Sequence, residues 1–214
     1  MFDLDGTLVD TAPDLAYALN LQLKRHGKPQ LCDAAIRPFA SHGSRGLVGL
    51  GFAITPKDDN FLAMRDEYLA IYDTVFTRNP VLLPGMADLL QAIETKGLKW
   101  GIVTNKPRRF TIPLIESMGM DLSKRAACVV SGDDAPLPKP SPATLLMACS
   151  QVGVKPENCM YVGDAERDIQ AARAAGMEAV VALFGYIDVT DRPSEWGADA
   201  LIKTPKELLD ISSW

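Results

Sequence analysis

From residue 80 onward, short apolar runs alternate with segments of helical period, and this alternation limits the possible folds more than any other feature of the chain. A helical pattern carrying Leu89, Leu90 and Ile93 stops at Gly97, and residues 100–103 then read as a strand ending in Thr104 and Asn105. A helix over 109–118 stops at Gly119, and 128–130 form a strand ending in Ser131 and Gly132. A helix over 143–151 precedes a strand over 159–162 that ends in Gly163 and Asp164. A helix over 171–175 stops at Gly176 before a strand over 179–183, and 200–202 read as an edge strand before a terminal helix from Pro205. Repeated strand–helix units with apolar strands imply a parallel sheet covered on both faces. Ligands of such sheets bind at the carboxyl ends of the strands, beside a reversal in strand order.

The N-terminal part differs. Asp3 and Asp5 flank Leu4 at the end of a very short apolar run and are followed at once by Gly6. Met1 directly precedes Phe2, so the strand carrying these carboxylates is expected to be unusually short at its start. Thr11 and Pro13 open a helix in which Leu15, Leu19 and Leu23 repeat until Gly27. Asp33 is placed to cap a short helix, residues 41–46 read as a flexible polar loop, and an amphipathic helix runs from Asp58 or Asp59 towards Phe76. No strand is expected between Thr7 and Asn79, so a helical block interrupts the sheet. The expected division is an α/β core over 1–12 and 80–214 with the helical block at 13–79.

If the strand ends converge, Asp3, Asp5, Thr104, Lys139, Asp164 and Asp168 meet in one crevice. Carboxylates around a shared point suit Mg²⁺, a hard cation with oxygen ligands. His26 and His42, the only histidines, lack metal-ligand spacing, and the four cysteines form no C-x-x-C pair. The same carboxylates repel an anion unless Mg²⁺ and Lys139 offset them, with Thr104 and backbone N–H groups receiving phosphoryl oxygens. That charge arrangement is one for phosphoryl transfer. Asp3, at the fixed end of the strand, is the natural nucleophile through an aspartyl-phosphate, and Asp5 can protonate the leaving alcohol and later activate water. A net charge of −5 without a Lys/Arg-rich run argues against nucleic acid, and no apolar stretch approaches the roughly 20 residues that span a bilayer. A soluble, cytoplasmic protein acting on a small phosphorylated metabolite is expected.

Four motifs then carry a resemblance to the haloacid dehalogenase-like superfamily of phosphatases. They are Asp3-Leu4-Asp5-Gly6-Thr7, Ile102-Val103-Thr104-Asn105, Lys139-Pro140-Ser141-Pro142 and Gly163-Asp164-Ala165-Glu166-Arg167-Asp168. The resemblance implies a Rossmann-like core with a helical cap domain inserted after the first motif. It implies Asp3 as nucleophile and metal ligand, Asp5 as acid/base with its carbonyl on the metal, Thr104 and Lys139 on the phosphate, Asp164 completing the metal site and Asp168 supporting it. Ser131-Gly132-Asp133-Asp134 and Phe184-Gly185-Tyr186 are similar to the phosphoglycolate phosphatase group. The stretch from Trp100 to Pro107, with Gly185-Tyr186-Ile187 and Trp196-Gly197-Ala198-Asp199, resembles bacterial N-acetylmuramic acid 6-phosphate phosphatases of cell-wall recycling.

Each residue also has a plainer reading. Asp3 and Asp5 alone would be a turn closing a strand, Thr104 a strand-end hydroxyl, Lys139 a solvated loop lysine and Asp168 a helix-start carboxylate. Arg45, His42 and Ser44 are candidates to meet a substrate carboxylate or sugar, or belong to a solvated loop. Asn105 is a candidate for the phosphate, and Lys106 and Arg108 read as surface charges. Tyr68 and Tyr72 read as core of the helical block. Competing functions are a sugar-phosphate mutase, which would depend on a bisphosphate activator, a receiver-type signalling module and a catalytically inactive binding protein. The phosphoacceptor of a receiver follows a later strand, and no helical block interrupts that fold.

Overall fold

The computed structural model describes residues 1–211. Its sheet is parallel and centred on Phe2, which bridges Ile102 on one side and Val162 on the other. On the first side lie β3 (Ile102–Val103) and β4 (Val129–Val130); on the second lie β5 (Met160–Gly163), β6 (Glu178–Ala182) and β7 (Ala200–Ile202). The order is therefore β4-β3-Phe2-β5-β6-β7, and its direction of growth reverses at Phe2. Short as it is, the Phe2 segment is held on both edges: its N–H donates to Gly101 O, its carbonyl accepts from Val103 N, and Asp3 N donates to Val162 O, each at 2.9 Å.

Alternation along the strands divides the core into two layers. Phe2, Ile102, Val162 and Val180 face one side, where they pack with α5 (Met86–Thr95) and α6 (Arg108–Ser117). Val103, Val130, Tyr161 and Val181 face the other, against α8 (Ala143–Val152) and α9 (Glu166–Ala175). Full burial of a side chain such as Phe110 or Leu145 stabilises by roughly 1.5–3 kcal/mol. A short helix, α7 (Leu122–Arg125), precedes β4; the C-terminal region turns through a 3₁₀ segment at Pro205–Glu207 into α10 (Leu208–Ile211). Any continuation of the expected terminal helix beyond 211 lies outside the described residues.

The helical block holds α1 (Ala12–Arg25), α2 (Asp33–Ile36), α3 (Gly43–Phe52) and α4 (Phe61–Tyr72). Two expectations are corrected here. Residues 41–46 are not a flexible loop: a 3₁₀ turn over Arg37–His42 runs into α3, whose Leu47 and Val48 are buried. Burial of the apolar side outweighs the helix cost of its glycines, about 1 kcal/mol each, and a Cβ at Gly51 would lie 2.8 Å from Leu19 Cδ1, so this glycine lets α3 approach α1 closely. Second, a strand does occur before Asn79. Here β1 (Val9–Asp10) pairs antiparallel with β2 (Val81–Leu82), so the chain leaves the sheet and returns to it side by side. Two-residue strands carry no readable periodicity. Among the described residues no helix is long and apolar enough to cross a membrane.

Candidate active site

The side chains that meet at the carboxyl ends of the strands come from separate parts of the chain. Asp3 follows Phe2, Thr104 follows β3, Lys139 arrives on the connection after β4, and Asp164 follows β5 with Asp168 on the first turn of α9. Lys139 is the centre of charge. Its Nζ lies 2.9 Å from Asp3 Oδ1 and 2.8 Å from Asp168 Oδ1, and it donates to Tyr161 Oη at 2.6 Å and to Val103 O at 3.2 Å. Burial pulls the Lys139 ammonium down, but Asp168 and Asp3 outweigh it and hold its pKa above the ordinary lysine value. The buried cation therefore stays charged.

Asp164 receives only neutral donors: Thr7 Oγ1 at 3.2 Å on Oδ1, and Ser41 Oγ at 2.9 Å with Tyr186 N at 2.7 Å on Oδ2. Burial, then Asp3 and Asp168, push its pKa up to about 7. Two glycines make room for it. Gly6 has φ +83°, and a Cβ there would lie 2.3 Å from Asp164 Oδ2; a Cβ at Gly185 would lie 2.2 Å from Asp164 Cβ. Asp168 accepts from Ala165 N at 3.0 Å with its second oxygen, so both of its oxygens are engaged. Burial raises the Asp168 pKa against the pull of Lys139.

Ligand oxygens of Asp3, Asp164 and Asp168 all lie within 4.8 Å of one another, and all three residues are buried. Buried carboxylates this close, one of them held to a pKa near 7 chiefly by burial and then by its neighbours, fit a hard divalent cation. Among the described residues Asp3 Oδ2 accepts no hydrogen bond and Asp164 has no lysine on either oxygen, so these two could ligate a cation directly, whereas Asp168 is paired with Lys139. The carboxylate of Asp5 is not in this group. Its Oδ1 accepts from Thr11 Oγ1 at 2.5 Å and from Lys106 Nζ at 2.9 Å. No backbone hydrogen bond among the described residues ends on the Asp5 carbonyl, the atom that the resemblance assigns to the metal.

Lys106 is the residue that the sequence misplaced. It is buried, and its Nζ also donates to Tyr72 Oη at 2.9 Å, so it joins Asp5 to α4. Burial lowers its pKa, but Asp5 and Tyr72 reverse that and leave it raised. Asn105, expected near the phosphate, spends its amide on Lys139: Nδ2 donates to Lys139 O at 2.9 Å and Oδ1 accepts from Lys139 N at 2.8 Å. It still lines the cavity, but those bonds make it a residue that positions the lysine turn. Asp134 closes a turn, accepting from Ser131 N at 2.8 Å, and Asp133 accepts from Arg108 N at the start of α6 at 2.7 Å. Tyr186 was legible only as part of a resemblance motif. Its hydroxyl accepts from Thr11 N and Ala12 N at 2.7 and 2.9 Å and donates to Asp10 Oδ1 at 2.8 Å, tying the start of α1 to the core.

A cavity of about 710 Å³ opens over these groups. Asp3, Asp5, Thr104, Asn105, Lys106 and Lys139 form its floor; His42, Ser44 and Arg45 from the 3₁₀ turn and α3, and Arg65, Tyr68 and Tyr72 from α4, form its outer wall. The tyrosines are thus both core of the helical block and wall of the cavity.

The Asp164 shift has a measurable consequence. Without a cation, the folded protein keeps a proton on Asp164 between its ordinary value near 3.8 and about 7, whereas the unfolded chain has released it. The stability from this group is full below 3.8 and is lost as pH rises through 7. A divalent cation needs the carboxylate and must expel that proton below pH 7. The rise in melting temperature on adding the cation is expected to be larger at pH 8 than at pH 6; an equal or larger rise at pH 6 in thermal unfolding would contradict this ligand assignment.

The chain is thus an open Rossmann-like α/β fold with carboxylates, a threonine and a lysine gathered at its switch point. The chain matches the family described as haloacid dehalogenase-like hydrolase over residues 1–182, and it belongs to that family. It is 40% identical over 211 residues to an N-acetylmuramic acid 6-phosphate phosphatase of Pseudomonas putida, covering 99% of this chain and 94% of the relative. It is also 40% identical over 214 residues to a phosphoglycolate phosphatase of Xanthomonas campestris, covering 100% of this chain and 96% of the relative. Among solved structures, a predicted phosphoglycolate phosphatase from Haemophilus somnus superposes with TM-score 0.82 at 27% identity, covering 98% of this chain and 95% of the other. Phosphatases of the family generally use a divalent metal, in keeping with the acidic cluster.

Proposed function

We propose that the protein is a Mg²⁺-dependent phosphomonoesterase that releases inorganic phosphate from a small metabolite by way of an aspartyl-phosphate on Asp3. The observation that carries this reading is the convergence of Asp3, Asp5, Thr104 and Lys139 on one cavity floor, with the Asp3 and Asp5 carboxylates in different hydrogen-bond settings. Lys139 and Thr104 receive the phosphoryl oxygens. The Asp3 carboxylate attacks phosphorus in line, the ester P–O bond breaks, and Asp5 delivers a proton to the departing alkoxide. Asp5 then takes a proton from water, whose oxygen attacks phosphorus and frees Asp3. Mg²⁺ on Asp3, Asp164 and the Asp5 carbonyl would offset the repulsion between carboxylates and phosphate. Residues 13–79 act as a cap domain over the site, the paired strands β1 and β2 forming its stem. The free cysteines are in keeping with action in the cytoplasm.

Phosphoglycolate and N-acetylmuramic acid 6-phosphate are the substrates that the relatives' names offer. Cavity size favours the second: roughly 300–1,000 Å³ is the usual range for drug-sized ligands, and a two-carbon acid phosphate would leave most of this space to water. Phosphate release from both compounds, from other sugar phosphates and from p-nitrophenyl phosphate decides the matter. Turnover should fall by at least about 100-fold when Mg²⁺ is chelated, the loss of several kcal/mol of charge stabilisation. Absence of phosphate release from every compound with Mg²⁺ present would overturn the reading.

A further inference from the structure

The cationic groups of the cavity fall into two sets, and in the first Arg167 is half-buried beside Asp168, Asp3 and Asp164 and donates to Ser41 O at 2.5 Å. Lys139 and Lys106 on the floor are neutralised within the protein, by Asp3 and Asp168 and by Asp5 respectively. Arg45 and Arg65 on the outer wall are not matched in the same way. Arg45 is exposed and has no ion pair or hydrogen bond among the described residues. Arg65 is half-buried, and among the described residues its only ion pair is through one terminal nitrogen to its neighbour Asp66, at 3.2 Å on the solvent side. Its Nε is buried and has no hydrogen-bond partner. A buried, charged N–H without a protein acceptor is costly and marks this guanidinium off from the paired lysines of the floor. Of the cavity's lining residues only Asp3 and Asp5 are acidic, and both belong to the floor. Leu15, Tyr68, Leu69 and Phe110 also line the cavity and offer apolar and ring surface.

We propose that Arg65, with Arg45, forms an anion subsite that reads a carboxylate on the substrate at the end remote from the phosphate, across a spacer the size of a sugar ring. A guanidinium donates two parallel hydrogen bonds to a carboxylate, and its two terminal nitrogens are one edge able to do so. Arg65 is a specificity-determining residue in this assignment, and Asp66 keeps its charge partly screened until the substrate arrives. The inference rests on the phosphatase reading and deepens it by naming the substrate class: a phosphate monoester that also carries a carboxylate. It gives a physical reason for α4 to reach the cavity at all, since the floor already accounts for the phosphate.

The test compares N-acetylmuramic acid 6-phosphate with N-acetylglucosamine 6-phosphate, which lacks the 3-O-lactyl ether and with it the carboxylate. Wild-type protein should favour the first in kcat/KM by about 10- to 100-fold, the range of charge-assisted hydrogen bonds, and the ratio should collapse towards one in Arg65→Met and partly recover in Arg65→Lys. Arg45→Met serves as the second variant should Arg65→Met fail to fold, and should lower the same ratio. If p-nitrophenyl phosphate is hydrolysed but the two sugars are turned over alike, the carboxylate subsite is wrong and the phosphatase reading stands. A preference that survives both arginine variants overturns the residue assignment. Calorimetric binding of the two sugar phosphates to Asp3→Asn protein gives the same comparison without turnover: equal affinities there reject the subsite, whatever the enzyme assay shows.

Discussion

Asp3→Asn is expected to reduce phosphate release by at least about 10⁴-fold, the scale on which removing a covalent nucleophile acts, while the fold is kept. Asparagine preserves shape but cannot form the acyl phosphate, because its amide nitrogen replaces one oxygen and its carbonyl carries no charge. The fold should survive because Lys139 retains Asp168 at 2.8 Å, the larger of the two charge effects on its ammonium after burial. Loss of the Asp3 charge also removes one of the groups that push the Asp164 pKa upward. Far-UV circular dichroism and thermal unfolding should therefore match wild type closely, and Mg²⁺ should stabilise the variant less than it does the parent, since one ligand charge has gone. Turnover within tenfold of wild type, or a variant that does not fold, would remove Asp3 from the nucleophile's place.

The residues in that experiment were legible in the sequence for a simple reason. Asp3, Thr104 and Asp164 each follow a short apolar run that reads as a buried strand, and Gly6 and Gly163 mark the ends of two of these runs; a parallel sheet then brings all three ends to one edge without any knowledge of loops. Lys139 was legible both as part of a motif and by its place in the loop after the strand that is β4. What failed to show was pairing across the cavity. Lys106 has the local signature of a surface charge, and only the packing of α4 over the floor buries it against Asp5 and Tyr72. Asn105 carries the chemistry to hold a phosphate, but its amide is matched atom for atom to the backbone of Lys139, which lies 34 positions away. Arg65 falls within an amphipathic helix on which arginine is ordinary, and its unpartnered Nε is visible only in three dimensions. Residues 41–46 deceived for the opposite reason. Their composition is that of a loop, yet apolar burial of Leu47 and Val48 and a close helix contact at Gly51 decide the matter in favour of helix.

Asp5 has surroundings that separate its role from that of Asp3, and this leads to the second large effect. It is less buried than Asp3, outside the cluster of metal-fitting oxygens, and held by Thr11 at the start of α1 and by Lys106, which is itself held by Tyr72 of α4. Asp5→Asn should cost about 10²–10⁴-fold on an alkyl phosphate such as a sugar 6-phosphate, the usual range for a general acid and base. The cost should depend on the leaving group. An alkoxide needs a proton as it departs, whereas p-nitrophenolate leaves without one, so formation of the aspartyl-phosphate from p-nitrophenyl phosphate should be nearly as fast as in wild type. Its hydrolysis still needs a base to take a proton from water, and that base is missing. Asp5→Asn should consequently give a burst of p-nitrophenol equal to the enzyme concentration followed by slow turnover, with phosphate remaining bound to protein in acid-quenched samples. Equal losses on both kinds of leaving group and no burst would mean that Asp5 supports the site through Lys106 and Thr11 without handling the proton. Asn cannot accept a charged hydrogen bond from Lys106 as a carboxylate does, so the variant also loosens the tie between floor and α4, and an Asp5→Asn change in KM for the larger sugar phosphate would report that second effect separately from the first.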